Sequence, residues 1–141
     1  YPQQMLDAAA FFAKHPDVPV VIDHAGSPYD QSKSGQLLWR EGLQALAHLE
    51  HVQIKLSGFG MFDQQWTAQS IRPLFDNIIE LFGAERVMFG SNFPVDKLMR
   101  DYDFVVDAVM ECCLNKGLNA AQINGIFLEN TQRFYRLDSL L

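Results

Sequence analysis

Three short β-rich runs begin 34 residues apart, at Val18, Val52 and Arg86. They read VPVVIDHAG, VQIKLSG and RVMFGSN, and each apolar stretch stops at a glycine or just before one. Near-continuous apolar character over four to six residues suits strands buried on both faces, as in a parallel sheet. Parallel neighbours need a long crossover between them, and the spacing leaves room for one helix in each gap. The rhythm therefore predicts a repeated βα unit with right-handed connections.

The segments between the runs carry helical periodicity. Over 36–49, Leu38, Trp39, Leu43, Leu46, Ala47 and Leu49 recur at three- and four-residue spacing. Over 70–82, Ile71, Leu74, Phe75, Ile78, Ile79 and Phe82 form a wide apolar stripe that Gly83 ends. Asp101 can cap a helix with Phe104, Val105, Ala108, Val109 and Cys112 on one face, running to Gly117. Asn119 and Gln122 resemble a capping box opening a further short helix, and another spans roughly residues 3–14 before Pro16.

The expected order is α-β-α-β-α-β-α-α. It fits an α/β fold of two kinds, a doubly wound open sheet or part of a (β/α)8 TIM barrel. Three strands cannot close a barrel, and alone they would leave two bare edges. The barrel reading makes residues 1–141 a single domain, the C-terminal half of a barrel of about 250 residues.

Composition narrows the partners. The chain has 141 residues, of which 48% are hydrophobic, enough for one core. A net charge of −6 and a pI of about 5.0 give no basic footprint for nucleic acid or an anionic membrane surface. No apolar run reaches membrane-spanning length, and the start lacks the pattern of a secretory signal. Cys112 and Cys113 are adjacent within a helical pattern, which argues against a bridge between them and for a reduced, cytoplasmic setting. The chain opens at Tyr1 without an initiator Met, so a piece of something longer is expected.

In either α/β architecture ligands gather at the carboxyl ends of strands. The polar residues there are Asp23 and His24, then Lys55 and Ser57, then Ser91 and Asn92. Alternation groups Val20, Ile22 and His24, and separately Met88, Gly90 and Asn92, so His24 and Asn92 are expected to look into one mouth. A neutral imidazole can ligate a metal, orient a water or polarise a carbonyl. His24 beside Asp23 reads equally as a structural pair, and Asn92 before Phe93-Pro94 as a turn cap. Lys55 can snorkel at the rim instead of meeting substrate. His15, His48 and His51 read as solvated or capping residues. The polar stretch 27–35 reads as a rim loop or a plain connector, and Phe59, Phe62 and Trp66 as packing more than as pocket wall.

Four segments, VIDHAGSP, VQIKLSGFG, RVMFGSNFPVD and IFLENTQRFYRL, resemble in that order the second half of the amidohydrolase-related proteins. The resemblance is nearest to the lactonase-like branch, which includes sugar-lactone and pyrone-dicarboxylate lactonases, and covers nearly the whole chain. It implies a (β/α)8 barrel with VVID as strand 6, VQIKL as strand 7 and RVMF as strand 8. It also implies hydrolysis of a lactone, or a similar ester or amide, at the barrel mouth.

On that resemblance His24 helps bind metal or substrate, and Lys55, Ser57 and Ser91 are substrate-binding candidates. The family's Gly-Ser-Asp-Phe/Trp-Pro motif holds an Asp that takes a proton from the attacking water, and here Asn92 occupies that position. An amide can orient a water but cannot accept its proton. Asp96 is the candidate replacement, provided that the loop folds back. A His-x-His pair on strand 1 would lie upstream of this chain. One divalent ion such as zinc suits the family without being required, because the branch includes metal-independent enzymes. The expected partners are a small-molecule substrate and either the N-terminal half of the barrel or a second copy.

Two other readings stay open. One is a non-catalytic member of the same scaffold, motivated by Asn92. The other is a small doubly wound ligand-binding domain, against which no strand end carries a G-x-G-x-x-G or G-x-x-x-x-G-K-[ST] pattern.

Overall fold

The computed structural model describes residues 1–137. Its three strands, β1 (Val20–Ile22), β2 (Val52–Leu56) and β3 (Val87–Phe89), pair in parallel and lie side by side in chain order. β1 is shorter than its apolar run because Pro19 has no N–H to give a ladder. Pairing begins at Val20, whose N–H donates to the His51 carbonyl at 3.0 Å.

Six α-helices accompany the strands: α1 (Met5–Phe12), α2 (Lys33–Ala47), α3 (Ala68–Phe82), α4 (Tyr102–Asn115), α5 (Ala120–Asn124) and α6 (Asn130–Tyr135). A π-helical turn over Gly125–Glu129 joins the last two. Side chains cap the starts as the sequence suggests. Asp101 accepts from Phe104 N–H at 2.8 Å, and Asn119 exchanges two bonds with Gln122. α2 starts at Lys33, before the periodic residues, because the Ser32 hydroxyl accepts from Gly35 N–H at 3.1 Å.

β2 shows how the layers are arranged. Val52, Ile54 and Leu56 are fully buried against α2 and α3, while Gln53 and Lys55 on the opposite face stay partly exposed. Leu43 and Leu46 from α2, Phe75 and Ile78 from α3, Val109 from α4 and Ile126 complete that core. Burial of each such side chain contributes about 1.5–3 kcal/mol. Consecutive helices pack in turn, α1 on α2, α2 on α3 and α3 on α4. A doubly wound domain needs its strand order to reverse, and the order β1-β2-β3 has no such switch point. The small ligand-binding alternative therefore lacks its crevice.

The N-terminal ends of the strands are tied down by two side chains. The Arg86 guanidinium donates to the carbonyls of Phe82 (3.0 Å), Leu49 (3.0 Å), Val52 (3.2 Å) and Ala47 (2.9 Å). Asn130, also buried, donates from its amide to Ala84 O at 2.8 Å and Val87 O at 2.7 Å. Both residues satisfy carbonyls that the helix ends and short strands leave unpaired.

Candidate active site

His24 does not reach the site by alternation. Register pairs Val20 with Val52 and Ile22 with Ile54, so those side chains face the helices. Lys55 pairs with Met88, which puts Met88 on the other face of the sheet, away from these helices. Grouping His24 with Val20 and Ile22 therefore assigns it the wrong side. What turns it is backbone conformation: His24 has φ 53°, in the left-handed region. Its ring Nδ1 then lies 3.0 Å from the Ser57 hydroxyl, which also accepts from His24 N–H at 3.3 Å.

Ser57 follows Lys55 by two residues on that same face and is itself buried. Gly90 lies close beside it, and a Cβ there would sit 3.1 Å from that of Ser57, so the serine would have to give by a few tenths of an ångström. Gly58 is constrained twice over, by φ 68° and by the His24 ring, whose Nδ1 a Cβ would approach to 2.6 Å. With Nδ1 engaged, Nε2 is the ring atom left for chemistry.

Lys55 is occupied by the protein itself. Its ammonium lies 3.0 Å from Asp23 Oδ1 and 5.3 Å from the centre of the Tyr135 ring. Burial, the largest influence, pulls its pKa down, but hydrogen bonds to Tyr135 and Asp23 and the Asp23 charge together leave it above the ordinary lysine value. Neither Asp23 nor Tyr135 was singled out as its partner by sequence reasoning. The usable signal was parity, because Asp23 is the register partner of Lys55 once the Val21–Gln53 pairing is continued.

After β3 the loop folds back on itself, as the Asp96 reading requires. Asn92, at φ 55°, donates from Nδ2 to Asp96 Oδ1 at 3.0 Å. The return does not bring Asp96 into the open. Its carboxylate is fully buried, and Oδ2 has no hydrogen-bond partner. Ser91 holds the turn, its hydroxyl accepting from Phe93 N–H at 3.3 Å.

The site residues thus form three pairs at one end of the sheet: His24 with Ser57, Lys55 with Asp23, and Asn92 with Asp96. Ser57 also lies against Gly90, two residues before Asn92. A cavity of about 350 Å³ opens beside His24, between α1 and the free edge of β1, lined by Met5, Phe12, Val21 and Asp23 among others. A larger groove of about 690 Å³ lies between α2 and α3 and includes none of these site residues. Phe59 and Trp66 are fully buried and pack on each other at 5.0 Å, as packing residues should. The cysteine thiols are no nucleophiles, since burial pushes Cys112 up to about 11 and Cys113 up to about 12.

The family profile described as Amidohydrolase matches residues 2–137. The chain belongs to the amidohydrolase family. It is 36% identical over 135 residues to the uncharacterized protein y4mH of Sinorhizobium fredii, covering 96% of this chain and 43% of that protein. It is 33% identical over 148 residues to an L-fucono-1,5-lactonase of Burkholderia multivorans, covering 97% of this chain and 49% of the lactonase. A crystal structure of an amidohydrolase from Burkholderia multivorans with bound zinc superposes with a TM-score of 0.88 at 32% identity, over 96% of this chain and 50% of the other. The chain thus spans about half the length of the relatives it matches.

A zinc ion in a catalytic site takes about three protein ligands. Among the described residues no group of three His, Cys, Asp or Glu side chains is placed to hold a metal. This amidohydrolase segment alone does not fit the ion. No described helix is long and apolar enough to cross a membrane.

Proposed function

We propose that the chain forms strands 6–8 of a (β/α)8 barrel, and that the complete barrel hydrolyses a lactone or a similar cyclic ester. The observation that carries the reading is the His24 imidazole, held on Ser57 at the carboxyl end of a parallel sheet whose other face is only partly covered. Parallel sheets are covered on both faces, so Val21, Gln53 and Lys55 call for further strands to close a wall around them. The N-terminal half of the barrel would supply those strands and the remaining specificity contacts.

In this mechanism the substrate carbonyl lies over the mouth. Asn92 orients the attacking water through its amide oxygen, and His24 accepts the water's proton at Nε2 as the water oxygen bonds to the carbonyl carbon. The ring C–O bond then breaks, and the imidazolium returns the proton to the departing alkoxide. His24 takes the base role because the other candidates are engaged: Lys55 is a paired cation, and Asp96 is enclosed. Ser57 fixes the ring by its bond to Nδ1. No step is routed through a metal ion.

Incubating the complete barrel with a panel of aldonolactones and titrating the acid released tests this reading. Catalytic acid release that is lost in His24→Ala supports it, and a well-folded barrel that releases none overturns it. The second outcome would favour the non-catalytic reading, for which the enclosed Asp96 is the specific motive. Sedimentation of the isolated chain addresses the barrel separately. A cooperative, monodisperse monomer would argue against the missing strands, whereas self-association through the sheet edges would agree with them.

A further inference from the structure

We infer that Asp96 is a positioning residue, and that it is the reason position 92 carries an amide. Asn92 Nδ2 donates to Asp96 Oδ1 at 3.0 Å, which turns the Asn92 NH2 inward and its oxygen outward. Among the described residues the Asp96 side chain has one hydrogen-bond partner, the Asn92 amide at Oδ1, while Oδ2 is enclosed without one. The backbone locks the geometry further. Asp96 N–H donates to Asn92 O at 3.1 Å, while Met99 and Arg100 N–H both donate to Asp96 O at 2.9 Å. Gly60, from the loop after β2, closes over the pair, for its Cβ position lies 3.3 Å from Asp96 Oδ1.

The consequence is a linked pair of positions. A carboxyl at 92 would meet a second, fully buried carboxyl at hydrogen-bond distance, and the two could not both ionise there. An amide at 92 with a carboxyl at 96 makes one hydrogen bond between them, and the exchange of the two would keep it. Residue 92 therefore presents a non-titrating acceptor oxygen to the mouth, with its rotation fixed from below. The coupling stands on the contact itself, and only its effect on turnover rests on the hydrolase reading above.

The test uses the complete barrel and four proteins: wild type, Asn92→Asp, Asp96→Asn and the double exchange. Asn92→Asp should lower the melting temperature by roughly 5 °C or more, and the double exchange should recover at least half of that loss. In the wild type, NMR should show the Asn92 side-chain amide protons shifted and protected from exchange, and Asp96→Asn should abolish that signature. Asp96→Asn should also lower kcat roughly tenfold with little change in KM, because the acceptor oxygen is no longer held in one orientation. Additive melting shifts, or an unprotected Asn92 amide in the wild type, would overturn the inference. Should the double exchange not fold, the wild-type amide protection decides alone. A barrel without lactonase activity but with strong coupling between 92 and 96 would sink the hydrolase reading and leave this one standing.

Discussion

The two ends of this short sheet follow different rules. At the N-terminal ends Arg86 and Asn130 donate to backbone carbonyls and clasp the strands to the neighbouring helix ends. At the C-terminal ends His24, Ala25, Ser27 and Asn92 all have positive φ, between 52° and 55°. The Asp96 Oδ2 atom there is buried without a partner. Left-handed conformations in residues other than glycine cost free energy, and they persist where surrounding structure holds them. One end stabilises the fold. The other is held in a costly shape that places His24 against Ser57 and turns Asn92 onto Asp96.

The strongest test of that division substitutes His24 by glycine. Glycine adopts φ 53° without penalty, so the melting temperature of the complete barrel should hold or rise by a degree or two. Hydrolysis should fall about 10²–10⁴-fold, the usual contribution of a general base. Calorimetry and acid-release assays on the same preparation read both quantities. Parallel loss of stability and turnover would mean that the mouth is ordinary structure.

The converse experiment belongs at the other end. Arg86→Ala strips donors from four carbonyls, those of Ala47, Leu49, Val52 and Phe82. A loss of about 3 kcal/mol is expected, since hydrogen bonds from a charged group are stronger than neutral ones and the site is only partly buried. Arg86→Lys should recover less than half, because an ammonium cannot span the same fork. Urea midpoints measure this, and specific activity per folded molecule should not change.

Asn130 makes a subtler version of the same point. Asn130→Asp would set carboxylate oxygens against the Ala84 and Val87 carbonyls, now 2.8 and 2.7 Å away. It should cost about 2–3 kcal/mol, more than Asn130→Ala, although Asp is the closer isostere. If Ala proved the worse substitution, shape and not donor supply would explain why this end is stable.

The same division governs what the sequence could disclose. Helices α2, α3 and α4 were legible because their apolar stripes repeat at helical spacing, and the caps at Asp101 and Asn119 announce themselves locally. The strands were legible from the 34-residue rhythm. The site was legible only as a set of residues. Alternation placed His24 on the wrong face because periodicity assumes extended backbone, and no pattern in VIDHAG signals φ 53° at a histidine. The return of Asp96 onto Asn92 was conceivable from a four-residue separation, but its complete enclosure depends on Gly60 from a distant loop. Arg86 was invisible as a clasp, since its four partners are spread from Ala47 to Phe82 and only the fold gathers them.

Lys55 lies between the two regimes, and it should give the smallest effect. Its ion pair with Asp23 is well formed at 3.0 Å, yet side-chain exposures of 25% and 57% leave it open to solvent screening. Lys55→Met should therefore cost below about 1 kcal/mol, and most of that should vanish in 1 M salt. The pH dependence has a definite sign. The folded pKa lies above the ordinary 10.5, because Tyr135 and Asp23 outweigh the opposing effect of burial. Such a group contributes fully below its unfolded pKa, and its contribution disappears as pH rises through the folded value. Wild type and Lys55→Met should thus differ by a constant amount from pH 6 to about 9.5 and converge above about 10.5. Convergence at lower pH would mean that the lysine is not held by Asp23 and Tyr135. A difference that persisted into strong alkali would assign the effect to its aliphatic stem, and Lys55 would then join the stabilising end of the sheet.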